Sequence, residues 1–337
     1  MGSADPKIIV VTRKTRLTEV LERFQTRGQA MFLIARAHEI EAVRREPAQA
    51  KGRRAIRGAG AEEEDFSAYQ AEDDAYRRSL ERLERELDFG LQVQKVDRSF
   101  LPNLVFGPAD IVVTVGQDGL VANTAKYALG HPMVAVNPDP ARIDGILLPF
   151  GTEEAANAVR AVLDGKARYR EVTLARAELA DGQALLAFND LFIGNRTHVS
   201  ARYRIELGRL TEPQSSSGVL VSTGAGSTGW LSSVFNMAAG VGRAFHVGSG
   251  GAPVTLEWQD PRLAFVVREP FVSRQSRAEI VAGLIEPGRE LVIESFMTSN
   301  GVIFSDGVEA DFLEFNTGTI AHIRAADERA KLVAADR

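Results

Sequence analysis

The chain changes texture once, near Arg168, and that change limits its possible folds more than any other feature. Before it, short apolar runs alternate with helical stretches. KIIVVTR (Lys7 to Arg13) reads as a buried β-branched strand, LQVQKV (Leu91 to Val96) as a second, ADIVVTV (Ala109 to Val115) as a third and PMVAVN (Pro132 to Asn137) as a fourth. Between them, Thr15 is placed to cap a helix through LTEVLERF. A further helical run, AMFLIARAHEIEAVRRE, extends to about Glu46, and PAQAKGRRAIRGAGAEEE (Pro47 to Glu64) reads as a mobile surface connection. Tyr76, Leu80, Leu83 and Leu87 fall on one face of an amphipathic helix. ANTAKYALG predicts a helix stopped at Gly130, and TEEAANAVRAVLDG predicts another. Strands alternating with helices predict a parallel sheet with helices on its faces.

After Arg168 the text becomes YREVTLARAEL, GQALLAFNDLFIG, SARYRIELG, SGVLVSTG, PVTLEWQ, LAFVVREP, AEIVAGLI, ELVIESF and GVIFSDG, short segments parted by Gly, Pro, Asp and Asn. That predicts a β-rich second domain. The division is an α/β domain over 1–149 and a β-rich domain over 150–316.

A chain of 337 residues, 45% hydrophobic and 25% charged, has enough material for two cores. A net charge of −5 gives no general attraction to nucleic acid or anionic membrane, so neither is expected as a partner. The absence of cysteine excludes disulfides and thiolate metal sites and fits a reducing compartment, so a cytoplasmic location is expected. No apolar run reaches the roughly 20 residues that span a bilayer, and MGSADPKIIVVTRKTR lacks the pattern of a signal peptide. Neither the Gly-x-Gly-x-x-Gly fingerprint nor a phosphate-loop lysine motif follows the first strand.

Five polar or glycine-rich clusters interrupt the strands. GQDGL holds Gly116, Gln117, Asp118 and Gly119 after the third strand. It reads either as a tight turn or as a carboxylate held where open α/β sheets bind ligands. VNPDPARIDGILLPF places Asn137 and Asp139 at another strand end, where Asn137 is a turn residue or a ligand contact. FNDLFIG sets Asn189 beside Asp190, in what reads as a loop leaving a strand. SSGVLVSTGAGSTGW (Ser216 to Trp230) gathers glycines and hydroxyls ahead of a helix, a combination suited to close backbone approach and to an anion. FSDG, with Asp306, taken alone is a hairpin turn.

In order and spacing these clusters resemble the NAD kinase family, with its Gly-Gly-Asp-Gly-Thr loop, Asn-Glu/Asp pair, Thr-Gly-Ser-Thr-Ala-Tyr-like loop and late Asp-Gly. The text is most similar to the mitochondrial branch and its bacterial relatives. The resemblance runs from about Ile8 to Gly307 and is strongest from Gly116 to Trp230. It implies an α/β N-terminal domain with a parallel, Rossmann-like sheet, a β-rich C-terminal domain, and a tail (about 317–337) that returns to the first domain. It also implies phosphoryl transfer from ATP to the 2′-hydroxyl of the adenosine ribose of NAD. Mg²⁺ would arrive with ATP, and the protein would be a homodimer or homotetramer.

By the same resemblance Asp118 orients and deprotonates the 2′-hydroxyl. Gly116 and Gly119 let backbone approach the triphosphate. Asn189 contacts the adenine end of NAD, and Asp190 bonds ribose hydroxyls. Thr223, Gly226, Ser227 and Thr228 belong to the second nucleotide loop, and Asn137 joins the cofactor-binding set. A carboxylate weakly basic toward a hydroxyl still suits a loose transition state, because it positions the proton and receives it late.

The loop departs from the family pattern at Gln117 and Leu120. If Gln117 needed positive φ it would cost about 1 kcal/mol or more, and Leu120 removes a hydroxyl. Ser217 stands where many members carry an acid, a trait shared by the mitochondrial branch. Two rival readings follow: a non-catalytic NAD(P)(H)-binding homologue, and a diacylglycerol-type lipid kinase that shares the Gly-Asp-Gly loop.

Overall fold

The computed structural model describes residues 6–24, 26, 28–29, 66–246 and 254–335. The second helical run and the Pro47 to Glu64 connection lie outside the described residues. Strands β1 (Lys7–Thr12), β2 (Gln92–Asp97), β3 (Ile111–Val115) and β4 (Pro132–Asn137) pair in parallel in the order β2-β1-β3-β4, with the short β5 (Phe150–Gly151) beside the end of β4. Their near-continuous Ile/Val text is what burial on both faces requires.

One face is covered by helix α2 (Phe66–Glu86), through Tyr76, Leu83 and Leu87 with Leu80 beside them, and by α4 (Thr152–Leu163), through Ala155, Ala158 and Val159. Helix α1 (Arg16–Arg23) starts at Thr15, whose side chain accepts the Thr18 N–H. The other face is covered by α3 (Asp118–Ala125), which buries Leu120, Val121, Ala122 and Ala125. This helix begins at Asp118, four residues earlier than ANTAKYALG predicts, because the Asp-Gly pair forms its first turn.

The second half supplies β6 (Tyr169–Leu179), β7 (Ala184–Ala187), β8 (Asp190–Asn195), β9 (Ala201–Leu207), β10 (Leu210–Ser216), β11 (Val219–Ser222), β12 (Leu263–Val267), β13 (Ala282–Ile285), β14 (Leu291–Ser295), β15 (Gly301–Ser305), β16 (Val308–Glu314) and β17 (Ile320–Val333), with α5 (Trp230–Phe245) after β11. An antiparallel six-stranded sheet runs β13-β12-β11-β8-β15-β16. The remaining strands extend the parallel sheet to eleven, β10-β9-β14-β17-β4-β3-β1-β2, with β6 paired on β17 and β7 on β6.

The two sheets enclose one apolar layer. Leu191, Ile193, Val219 and Val221 meet Tyr203, Ile205, Leu291, Ile293 and Ile323 there. Of PVTLEWQ, expected as a strand, the described part from Val254 to Gln259 is turn and irregular backbone. Asn189 lies in the turn leaving β7, as expected, and Asp190 opens β8.

Candidate active site

β3 and β4 end side by side, and the Gly116 N–H donates to the Val136 carbonyl at 3.2 Å. Gln117 follows as the N-cap of α3 with φ −116°. This is ordinary extended backbone, so the strain that a positive φ would impose there is absent. Leu120 is buried in the apolar cluster under α3, and a hydroxyl at that position would lie in the core. Gly119 has open space where a Cβ would be.

Asp118 stands at the first position of α3, and its Oδ1 accepts the Leu147 N–H at 2.7 Å. That N–H belongs to the loop after β4, which Asn137 builds. Asn137 Oδ1 accepts the Asp139 N–H (3.0 Å), and its Nδ2 donates to the Ile143 carbonyl (2.9 Å). Gly145 adopts φ +61° against the same amide, where a Cβ would stand 2.8 Å from Nδ2. The side chain of Asn137 is thus engaged within its own loop, and it reaches Asp118 through Leu147.

In the antiparallel lobe, Asp306 and Gly307 turn β15 into β16 with φ of 54° and 70°, the left-handed pair that tight hairpins need. Asp306 also acts as an organiser. Its carboxylate accepts the N–H groups of Phe188 (3.0 Å), Asn189 (2.6 Å) and Asp190 (3.3 Å). The glycine-rich loop closes on the same segment. Thr223 donates its N–H to the Asn189 carbonyl at 2.9 Å and its hydroxyl to the Phe188 carbonyl at 2.6 Å.

Glycine is obligatory at two points of that loop. A Cβ on Gly226 would lie 2.1 Å from the Asn189 carbonyl oxygen, and one on Gly224 would lie 1.8 Å from that of Glu257. The Ser227 hydroxyl donates to the Gly224 carbonyl at 2.8 Å. The hydroxyls of Thr223 and Ser227 are therefore buried and bonded to carbonyls, whereas Thr228 is exposed at the start of α5. Asn189 is half-buried, and no side-chain hydrogen bond is formed by Asn189 or Asp190 among the described residues.

Burial, reinforced by the charge of Asp306, pushes the Asp190 carboxyl up to about 7. Burial raises Asp306 as well, but three backbone N–H groups and Lys126 oppose the rise. Lys126, at the end of α3, is buried and donates to Ser305 Oγ (2.9 Å) and Asp311 (3.1 Å). Its role was hidden in the sequence, although a lysine amid the buried run of α3 is a signal that could have exposed it.

The loops from the two lobes meet on one apolar cluster. Leu120 and Leu147 from the parallel lobe pack there with Phe188, Ala225 and Trp258 from the other. Along β8, Asp190, Phe192 and Gly194 share a face. Phe192 and Trp230 stack there at 5.8 Å, beside a cavity of about 400 Å³ that Arg196, Ser217, Arg268 and Phe304 also line. Among the described residues no cluster of three or more His, Asp or Glu could hold a metal ion, and no helix is long and apolar enough to cross a membrane.

A parallel α/β sheet continued into an antiparallel lobe, with an Asp-bearing loop at the strand ends, defines a class: the two-domain fold of the NAD kinases. Two solved structures share it with this chain. One is an NAD kinase from Archaeoglobus fulgidus in complex with ATP (TM-score 0.51, 16% identity, covering 77% of this chain and 88% of that one). The other is yeast NADH kinase complexed with NADH (TM-score 0.52, 15% identity, covering 98% and 84%). Identities this low carry the fold alone. No family model and no curated protein matches the sequence.

Proposed function

We propose that the protein is an NAD kinase, transferring the terminal phosphoryl group of ATP to the 2′-hydroxyl of the adenosine ribose of NAD to give NADP. The observation that carries this reading is the position of Asp118. It is a fixed carboxylate at the ligand-binding edge of a parallel sheet, in a fold shared with NAD and NADH kinases, joined through one apolar cluster to the Asn189–Asp190 turn.

In this reading Asp190 accepts hydrogen bonds from ribose hydroxyls and Asn189 offers its free amide to the adenine. The rest of the dinucleotide runs along the outer face of β8 toward the cavity with Trp230, Arg196 and Arg268. That cavity provides a stacking surface for a flat ring and two guanidinium groups for phosphates. Asp118 orients the 2′-hydroxyl. As its oxygen bonds to the γ-phosphorus and the bond to the β,γ-bridging oxygen breaks, the hydroxyl proton passes to the carboxylate and ADP leaves. Mg²⁺ enters as part of the Mg·ATP substrate. Extended backbone at Gln117 removes the cost a positive φ would carry, and Leu120 packs in the core under α3.

Asp118→Asn keeps the bond to Leu147 available and removes the proton acceptor. With Mg²⁺, ATP and NAD supplied and NADP read enzymatically, its turnover is expected to fall by about 10²-fold or more, with NAD affinity by calorimetry within about twofold of wild type. Undiminished turnover in the variant would overturn the role of Asp118. Wild-type protein that binds NAD and never forms NADP would overturn the enzyme.

A further inference from the structure

The C-terminal end of α3 carries a group the reaction above leaves unused. Lys126 caps the helix, and its side chain is only 1% exposed. Its ammonium donates to Ser305 Oγ at 2.9 Å and to Asp311 Oδ2 at 3.1 Å. Ser305 is the last residue of β15 and Asp311 lies in β16, so one cation grips both strands of a hairpin. The Tyr127 hydroxyl donates to the same Asp311 carboxylate, a second hold of α3 on β16.

At the turn of that hairpin is Asp306, which accepts the N–H groups of Phe188, Asn189 and Asp190. At the other end of α3 is Asp118. A helix of this length spans about 12 Å. One short helix therefore links the carboxylate assigned to the reacting hydroxyl with the hairpin that shapes the ribose-binding turn.

Stability alone does not call for a cation here. A buried ammonium loses its hydration, and apolar side chains of similar volume often serve as well or better in such places. What an apolar side chain cannot supply is charge. Asp306 and Asp190 face each other, and facing carboxylates oppose each other's ionisation. The Lys126 ammonium favours the charged form of Asp306 against burial. The ionisable groups bearing on this contact are Asp306 and Asp190 at the turn, and Asp311 and Tyr127 beside the ammonium.

We propose that Lys126 is a positioning residue: acting through Ser305 and Asp306, it holds the Asn189–Asp190 turn in register with Asp118 and supplies the counter-charge for the Asp306 carboxylate. Its effect on turnover rests on the kinase reading; the clamp and the counter-charge rest on these contacts alone.

The test compares wild type with Lys126→Met and Lys126→Arg by two readouts. The first needs no ligand: the side-chain carboxyl carbons of Asp190 and Asp306 are followed by NMR in isotope-labelled protein as pH is raised. In Lys126→Met the last ionisation of the pair is expected to move up by about one pH unit, because two facing negative charges have lost their cation. Lys126→Arg, which keeps the charge, is expected to titrate within about 0.3 unit of wild type. The second readout is steady-state kinetics with Mg²⁺, ATP and NAD. Lys126→Met is expected to lower kcat about tenfold with KM for ATP within about twofold of wild type, and Lys126→Arg to recover most of the loss. A residue that only stabilises the fold would lower the melting temperature and move neither readout. An unmoved titration or an unchanged kcat in folded Lys126→Met overturns the proposal, as does an equal titration shift in Lys126→Arg. If Lys126→Met fails to fold, Lys126→Gln, which can still donate to Ser305, replaces it with the same expected shifts. A titration that moves as expected in a protein that forms no NADP would leave the role of Lys126 at the turn standing and remove the kinase reading.

Discussion

A carboxyl group taken out of water without a counter-charge holds its proton. Asp190 is in that position. It is 8% exposed, faces the charge of Asp306 and has no side-chain hydrogen bond among the described residues, so it is pushed from 3.8 up to about 7. Asp306 has three backbone donors and Lys126 and is the better placed of the two to ionise. The consequence for stability has a definite sign. Between about 4 and 7 the folded protein holds a proton on Asp190 that the unfolded chain has released, so this residue's contribution falls as pH rises through that window. Asp190→Asn removes the titration. Relative to wild type, the variant is expected to gain at pH 8 over pH 5, by at most about 2–3 kcal/mol. Urea midpoints at both pH values, compared between the two proteins, provide the check, and a wild type with no pH-dependent deficit relative to the variant would contradict the buried pair. In the proposed reaction the same group links NAD affinity to pH, because only ionised Asp190 accepts from both ribose hydroxyls.

The loop from Asn137 to Leu147 links an element's geometry to chemistry at a distance. Asn137 ties Asp139 and Ile143, and the loop returns Leu147 to hold Asp118. Asn137→Ala is expected to cost about 1–3 kcal/mol in stability, since partners are left unsatisfied. It should also lower kcat about tenfold as Asp118 loses its fixed orientation, while KM for NAD changes little. A rise in KM with kcat intact would make Asn137 a direct ligand contact instead.

The sequence showed the strands of the parallel sheet because they are short continuous apolar runs buried on both faces, and the docking face of α2 because it follows the 3.6-residue period. It hid the start of α3, since Asp118-Gly119 looks like a turn when it is the first turn of a helix. It hid β17 as well. IAHIRAADERAKLV is rich in alanine and charge, and a bulge between Ala325 and Arg329 breaks its alternation. At the site, the glycine clusters announced close backbone approach, but not that Gly226 makes room for the Asn189 carbonyl. The role of Asp306 was invisible, because the N–H groups it gathers lie 116 to 118 residues away in the chain.

At the scale of the molecule, β17 decides how the two halves share their stability. Its first part pairs with β14 at Leu291↔Ile323 and its last part with β4 at Leu332↔Met133, while β6 runs antiparallel along both. The strand also contributes to more than one core: Ile323 lies in the layer between the two sheets, and Leu332 lies with Leu120 and Phe188 where the loops of the two lobes meet. Neither lobe keeps its sheet edge covered if β17 detaches. The expected behaviour is a single cooperative thermal transition. Leu332→Ala, which hollows the cluster between the loops, is expected to destabilise the whole chain by about 2–5 kcal/mol and to move that one transition down intact. Calorimetry that splits the wild-type transition in two, or a variant in which one lobe melts ahead of the other, would show that the shared strand does not couple the lobes. Loss of cooperativity would then have to be sought at the contacts between α3 and the Phe188 turn.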